Sequence, residues 1–217
     1  MDESNQQQGG KIDVKRMRID QAIRRARMKM VMVVGSIVAG IALVTGISVW
    51  IARMPKPVAP GVTFENQGQQ HVGLDYQFTY NSNPPTSGPH YADPGNWAIY
   101  DYEVNDKILI HNMEHGGIWI SYKPGISAKA IEDLKGIIKE FDGSQIVMDP
   151  RSTNDTDVAV AAWTHLYTFN LEGDGLTDTQ KENIRSFYKI LKNHGPEFVP
   201  GMSGIDPKSV PGGMGAK

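Results

Sequence analysis

The chain has 217 residues, 22 Lys and Arg against 24 Asp and Glu, and no cysteine. That length leaves room for one folded domain beside the membrane segment described below. The missing thiols exclude disulfide staples and thiolate metal ligands, so any metal would be held by His, Asp, Glu or Met.

The N-terminal residues, 1–10, are polar and Gln-rich and read as disordered. Residues 11–30 are basic and helix-prone, with Lys11, Lys15, Arg16, Arg18, Arg24, Arg25, Arg27 and Lys29. Residues 31–51 (VMVVGSIVAGIALVTGISVWI) carry no charge, and about twenty such residues span roughly 30 Å of hydrocarbon as a helix. A secretory signal peptide has a shorter apolar core and a small-residue cleavage site; this run is longer and ends at Trp50, suited to the interfacial belt, so an uncleaved signal anchor is expected. Only Arg53 and Lys56 follow closely, so the positive flank places residues 1–30 in the cytoplasm and the remainder outside. The basic stretch is then explained by topology and by attraction to anionic headgroups. The expectation is a single-pass protein of the cell membrane with an extracytoplasmic C-terminal domain.

Residues 52–60 form a Pro-rich linker, residues 61–199 the domain, and residues 200–217 a Gly- and Pro-rich flexible tail. From residue 54 onward there are 13 Lys and Arg against 20 Asp and Glu, a balance of −7, which argues against a nucleic-acid partner and suits a cation. Within the domain, residues 107–112 (KILIHN) and 117–122 (GIWISY) read as two strands of a hairpin. Ser127 caps a helix with Ile131, Leu134, Ile138 and Phe141 at helical spacing. Residues 145–148 read as a short strand, and residues 157–167 as a longer one with Trp163 and His165 on one face and Val158, Val160 and Ala162 on the other. Thr177 and Gln180 form a capping-box signature ahead of a second helix. The expected fold class is α+β: an antiparallel sheet with two helices packed on it, preceded by a single N-terminal transmembrane helix. Trp97, Trp119 and Trp163 are expected in the core.

Two segments are unusual for a plain scaffold. The loop at residues 80–91 is stiffened by prolines and a glycine and delivers His90. Residues 111–117 (HNMEHGG) pack two imidazoles and a carboxylate into five residues. Together with Tyr122-Lys-Pro124, the PPTSGPHY and HN-x-EHGG motifs resemble the family of domain of unknown function 3105, over roughly residues 60–200. Members of that family have an N-terminal membrane span followed by this outer domain, and the resemblance implies no activity. The positions that match its motifs are His71, His90, His111, Glu114 and His115; His165 and His194 fall outside them.

Clustered imidazoles point to a metal site, with copper or zinc as the ion and His71, His90, His111, Glu114 and His115 as the ligand set. His90, His111 and His115 are expected to converge, with Glu114 ligating or bonding a ligating ring and His71 as fourth ligand. The competing reading is a metal-free cell-surface interaction module, in which the histidines bond backbone carbonyls and lock the loops together. A zinc-dependent hydrolase is a third, because His111-Asn-Met-Glu-His115 fits H-x-x-E-H; that motif requires a helix, and Gly116-Gly117 with flanking β-branched residues predicts a turn here. Whether the protein is an enzyme stays open. Met113, Met148, Met202 and Met214 suit copper(I) by chemistry, but Met148 reads as core filler and Met202 and Met214 as tail residues.

Overall fold

The computed structural model of the protein describes residues 3–55, 57–199, 201 and 204–214, with side chains from residue 15 onward. The chain divides into two units, residues 1–56 and 57–217.

The first unit is helix α1, Glu3–Ala52. Its segment Lys15–Ala52 is long and apolar enough to cross a membrane, with a mean hydropathy of 2.4 in its most apolar window and none of that window buried. A core helix of the same composition would be covered. Ser36, Thr45 and Ser48 donate their hydroxyls to the carbonyls of Val33, Ile41 and Val44, so these polar groups are satisfied inside the helix. Residues 3–10 continue the helix instead of forming the expected disordered segment, because each residue added to an existing helix gains a hydrogen bond without a new nucleation cost. Met1 and Asp2 lie outside the described residues.

The second unit contains β1 (Val62–Thr63), α2 (Asp106–Glu114), β2 (Ile118–Tyr122), α3 (Ala128–Glu140), β3 (Ile146–Pro150), β4 (Val158–Ala162), β5 (His165–Phe169), α4 (Asp178–Leu191) and a 3-10 turn, Pro207–Ser209. The fold is α+β, around one five-stranded sheet in the order β1-β5-β4-β2-β3. All pairings are antiparallel except β2 with β3, which run parallel. A parallel pair needs a crossover, and α3 supplies it.

Side chains alternate across the strands. Ile118, Ile120, Ile146, Met148, Val158, Val160 and Ala162 pack with α3 and α4, while Trp119, Val147, Ala159 and Ala161 pack with Ile108, Leu109, Ile110 and Met113 around α2. Helices therefore cover both faces, where two helices on the sheet were expected. The extra one is α2. Its residues from Ile108 to Glu114 are all buried, so its apolar run lacks the one-sided period of a surface helix and reads as a strand. The expected hairpin of residues 107–122 is thus a helix followed by a strand. Ser127 caps α3, and the capping box of Thr177 and Gln180 opens α4, as their residue types require.

The expected long strand at residues 157–167 is instead the hairpin of β4 and β5, turning at Trp163-Thr164 with Thr164 at φ 63°. Neither turn residue is Gly or Asn, so the turn left no compositional mark. Its backbone is used: Thr164 N–H donates to Thr86 O at 2.9 Å, and Thr164 O accepts from Phe64 N–H at 2.7 Å. The hairpin tip thereby carries the proline-rich loop.

The described part of the expected flexible tail is also built in. Ile205 exchanges backbone bonds with Pro94 and Asn96, both at 2.9 Å, and Gly213 O accepts from Asn105 N–H at 3.0 Å. Gly and Pro composition reads as coil, but here small residues allow close backbone docking: a Cβ on Gly204 would collide with the Gly95 carbonyl. Ala59, in the expected linker, packs against the α3/α4 cluster.

Asn112 ties the loop at Gly95 to α2. Its Oδ1 accepts from Gly95 N–H at 2.9 Å and its Nδ2 donates to Gly95 O at 2.7 Å, all buried. Asn112→Leu leaves both Gly95 groups unpaired, at about 1–3 kcal/mol each. The expected outcome is a clearly lower urea midpoint with an unchanged m-value.

Candidate metal centre

The HNMEHGG segment is helical through Glu114 for reasons visible at both ends of α2. Asn105 is the N-cap and accepts from Lys107 N–H, with Asp106 in the first turn. At the other end, Gly116 N–H donates to Met113 O and Gly117 N–H to Asn112 O, both at 2.9 Å, which is a Schellman closure with Gly116 at φ 79°. The two glycines that predicted a turn in place of a helix therefore terminate one. Gly117 must also lack a side chain, because a Cβ there would enter the Trp97 ring. The helix brings His111 and Glu114 to its last turn and His115 to its C-cap.

His90 arrives from the proline-rich loop, which is pinned at several points. Tyr80 OH donates to Pro89 O at 2.5 Å, Asn83 Oδ1 accepts from Arg151 at 2.6 Å, and Ser87 Oγ accepts from Gln67 N–H at 3.0 Å. His71 lies beside it through a short parallel bridge, with His90 N–H donating to Gln70 O and Val72 N–H to His90 O.

These segments bring four of the five expected side chains, His71, His90, His111 and Glu114, into one group. The Glu114 carboxylate oxygen Oε2 lies 3.0 Å from His90 Nε2 and 3.6 Å from the Nε2 atoms of both His111 and His71. Ligand atoms of His71, His90, His111 and Glu114 all lie within 4.8 Å of one another, a group that could hold a metal ion. His115 stands at the edge: its Nε2 is 3.1 Å from His111 Nε2, and it groups instead with Glu114 and Glu197. His165 and His194 are elsewhere, bonded to the carbonyls of Trp163 and Lys192.

The tautomers follow from partners that can only accept. His90 Nδ1–H donates to Gly88 O at 2.8 Å and His111 Nδ1–H donates to Tyr91 O at 2.7 Å. In the neutral rings both Nε2 atoms are therefore lone pairs, and both face Glu114. A cluster of acceptors at these distances requires a proton or a cation between them. Backbone carbonyls that fix ring and tautomer are the usual outer partners of a ligating imidazole. The 3.0–3.6 Å separations bracket the edge of roughly 3.4 Å for a tetrahedron with bonds of about 2.0–2.1 Å.

Electrostatics favour the ligating forms. Burial, aided by the neighbouring His115 and His90, pushes the His111 imidazole down to about 4, against the hydrogen bond to Tyr91 O, which opposes the shift. His115 is also lowered, chiefly by burial. Burial acts to raise the Glu114 carboxyl, but a proton on the facing His90 Nε2 and positive charge on the surrounding imidazoles outweigh it, and the net shift is downward, so the carboxylate favours a positive charge, proton or cation, at this place. The C-terminal end of α2 adds its negative dipole end at the same place. Met113 and Met148 are fully buried in the two apolar clusters and Met214 is half exposed, while Met202 lies outside the described residues.

Residue-type reasoning missed Glu197, whose Oε2 lies 3.6 Å from His115 Nε2. It follows α4 on a segment held to the end of α2, with Glu197 N–H donating to Glu114 O at 3.1 Å. The signal available was Gly195 before Pro196, a mark of close approach: a Cβ on Gly195 would collide with the Glu114 carbonyl.

The family model described as protein of unknown function (DUF3105) matches residues 71–201. No curated protein and no solved structure matches the chain.

The His111 shift predicts a pH dependence for the metal-free protein. An unfolded imidazole titrates near 6.5 and folded His111 near about 4, so the unfolded chain binds more protons between those values. Stability is thus fully present above about 6.5 and falls as the pH drops toward about 4. Urea midpoints measured across that window should decline for the wild type and decline less steeply for His111→Gln.

Proposed function

From its membership of the family described as protein of unknown function (DUF3105), to which this chain belongs, no activity follows, and we propose from its own geometry that it is a membrane-anchored metal-binding protein. The ion is zinc or copper, held by His71, His90, His111 and Glu114, in a domain exposed on the outer side of the cell membrane. The observation that carries this reading is the convergence of donors: with their Nδ1 atoms bonded to Gly88 O and Tyr91 O, His90 and His111 direct their Nε2 atoms, bare in the neutral rings, toward one carboxylate oxygen. Three imidazoles and a carboxylate suit zinc or copper(II) better than magnesium or calcium, which favour all-oxygen shells. His71 is 47% exposed while His90 is fully buried, so the ion enters from the His71 side.

The hydrolase reading gains the helix that its motif needs. It loses the free base, because Glu114 Oε2 is surrounded by three imidazoles instead of facing an open position. Binding, therefore, is the function supported best.

The purified full chain, equilibrated with zinc or copper at neutral pH, is expected to retain metal stoichiometrically. His90→Ala and His111→Ala should weaken binding by about 100-fold or more, since even outer-partner losses cost about 10–100-fold. A wild type that retains no metal would leave the cluster as a lock between loops, the metal-free interaction module.

Orientation rests on the basic flank of α1. Protease added to intact cells is expected to remove the domain and spare residues 1–30. A C-terminal tag protected in sealed cells and digested after lysis would reverse the assignment.

A further inference from the structure

Glu114 belongs to two groups of candidate ligands, not one. On one side it meets His71, His90 and His111; on the other it meets His115 and Glu197, whose ligand atoms and its own again all lie within 4.8 Å of one another. We propose that Glu114, His115 and Glu197 form a second divalent-cation position beside the first, so that the Glu114 carboxylate is shared and the centre holds two ions. The proposal rests on the reading of Glu114 as a ligand of the first ion.

His115 is the buried imidazole of this group. Its side chain is 2% exposed, and its Nδ1 is buried with no hydrogen-bond partner among the described residues. Its Nε2 lies 3.1 Å from His111 Nε2 and 3.6 Å from Glu197 Oε2. The His111 nitrogen is a lone pair, because that ring has given its proton to Tyr91 O. One proton serves only one side of the His115 ring. Placed on Nε2, it donates to His111 Nε2 or Glu197 Oε2 and leaves Nδ1 a bare buried acceptor. Placed on Nδ1, as in His90 and His111, it frees Nε2 to ligate beside Glu197 Oε2; Nδ1 is unpaired with the proton in either place, so it is the grouping of the Glu114, His115 and Glu197 ligand atoms that suits a cation.

Glu197 is also delivered deliberately. Gly116 and Gly195 let the chain after α4 lie directly on the end of α2, where Asn193 N–H donates to Gly116 O at 2.9 Å and Glu197 N–H to Glu114 O at 3.1 Å. Glu197 is 46% exposed, so the second position has an open rim of its own, and a bridging carboxylate between two ions lowers their mutual repulsion. His115 and two carboxylates make it the harder of the two sites and the weaker zinc binder.

Zinc alone is the probe, added to the metal-free full chain in detergent and followed by calorimetric titration and by elemental analysis after washing. Two zinc ions per wild-type chain are expected, with Glu197→Gln weakening the second by about tenfold or more and sparing the first. Glu197 is half exposed and its side chain meets only His115 of the buried groups, so this variant keeps the fold; His115→Gln should act in the same way. One zinc in the wild type, unchanged by Glu197→Gln, overturns the second position and leaves the three-histidine site standing. One zinc that is weakened by His115→Gln but not by Glu197→Gln also overturns it, by assigning His115 to the first ion. No bound zinc overturns both readings together.

Discussion

The carboxylate of Glu114, 1% exposed at the end of α2, is the constraint on which the arrangement of the domain depends. Burying such a charge is costly unless it is paired and bonded. The pairing comes from imidazoles that originate in three separate segments, and each must be held in place by backbone that has its own reasons to stay there. The Schellman closure fixes where α2 ends and so where Glu114 and His115 point. The loop of residues 80–91 is fixed through the β4–β5 hairpin tip, Arg151 and Tyr80. The His71 segment is fixed through its bridge to His90 and through Gly88 N–H donating to Gly68 O and Gln67 N–H to Ser87 Oγ.

That hierarchy of support matches the gradient of exposure across the centre. His90 and His111 sit on pinned elements and are buried, whereas His71 and Glu197 lie at the rim. A rigid interior with two accessible rim side chains is the arrangement that loading and unloading the proposed ion without disturbing the core would need. The sheet takes no direct part; its role is to give α2 an apolar floor of Trp119, Val147, Ala159 and Ala161, against which the helix is held along its length. Trp119 is itself fixed by donating to the buried carboxylate of Asp149, which also accepts from Val104 N–H. Desolvation raises the Asp149 carboxyl well above the usual range, and the absence of any exposed surface on it makes this a structural knot inside the scaffold.

The metal-binding reading and the loop-locking reading use different atoms of the same rings. Nδ1 of His90 and of His111 bonds backbone carbonyls and fastens loops, as an ordinary buried histidine would. Nε2 is left over, and it is the convergence of those leftover atoms on one carboxylate that calls for a proton or a cation. The two readings differ in what lies between the Nε2 atoms and the Glu114 carboxylate, a cation in the first and a proton in the second.

Local chemistry was legible in the sequence wherever it is local. The uncharged run of residues 31–51, the Ser127 cap, the capping box at Thr177 and the stiff loop before His90 each depend on neighbours a few residues away, and each is present. The sequence also singled out His71, His90, His111, Glu114 and His115, because imidazoles and a carboxylate packed among glycines and prolines are uncommon without cause. What only the tertiary structure decided are the properties that burial sets. Helix α2 reads as a strand because it is covered on all sides, the hairpin at Trp163-Thr164 is fixed by partners in distant loops, and residues 204–214 are docked by backbone bonds that composition does not encode. Glu197 reaches His115 by the same kind of long-range approach, through Gly195 against the end of α2. The physical reason is common to all four: a side-chain pattern records the environment of one element, while the close packing of two backbones depends on both, and only the folded chain brings both together.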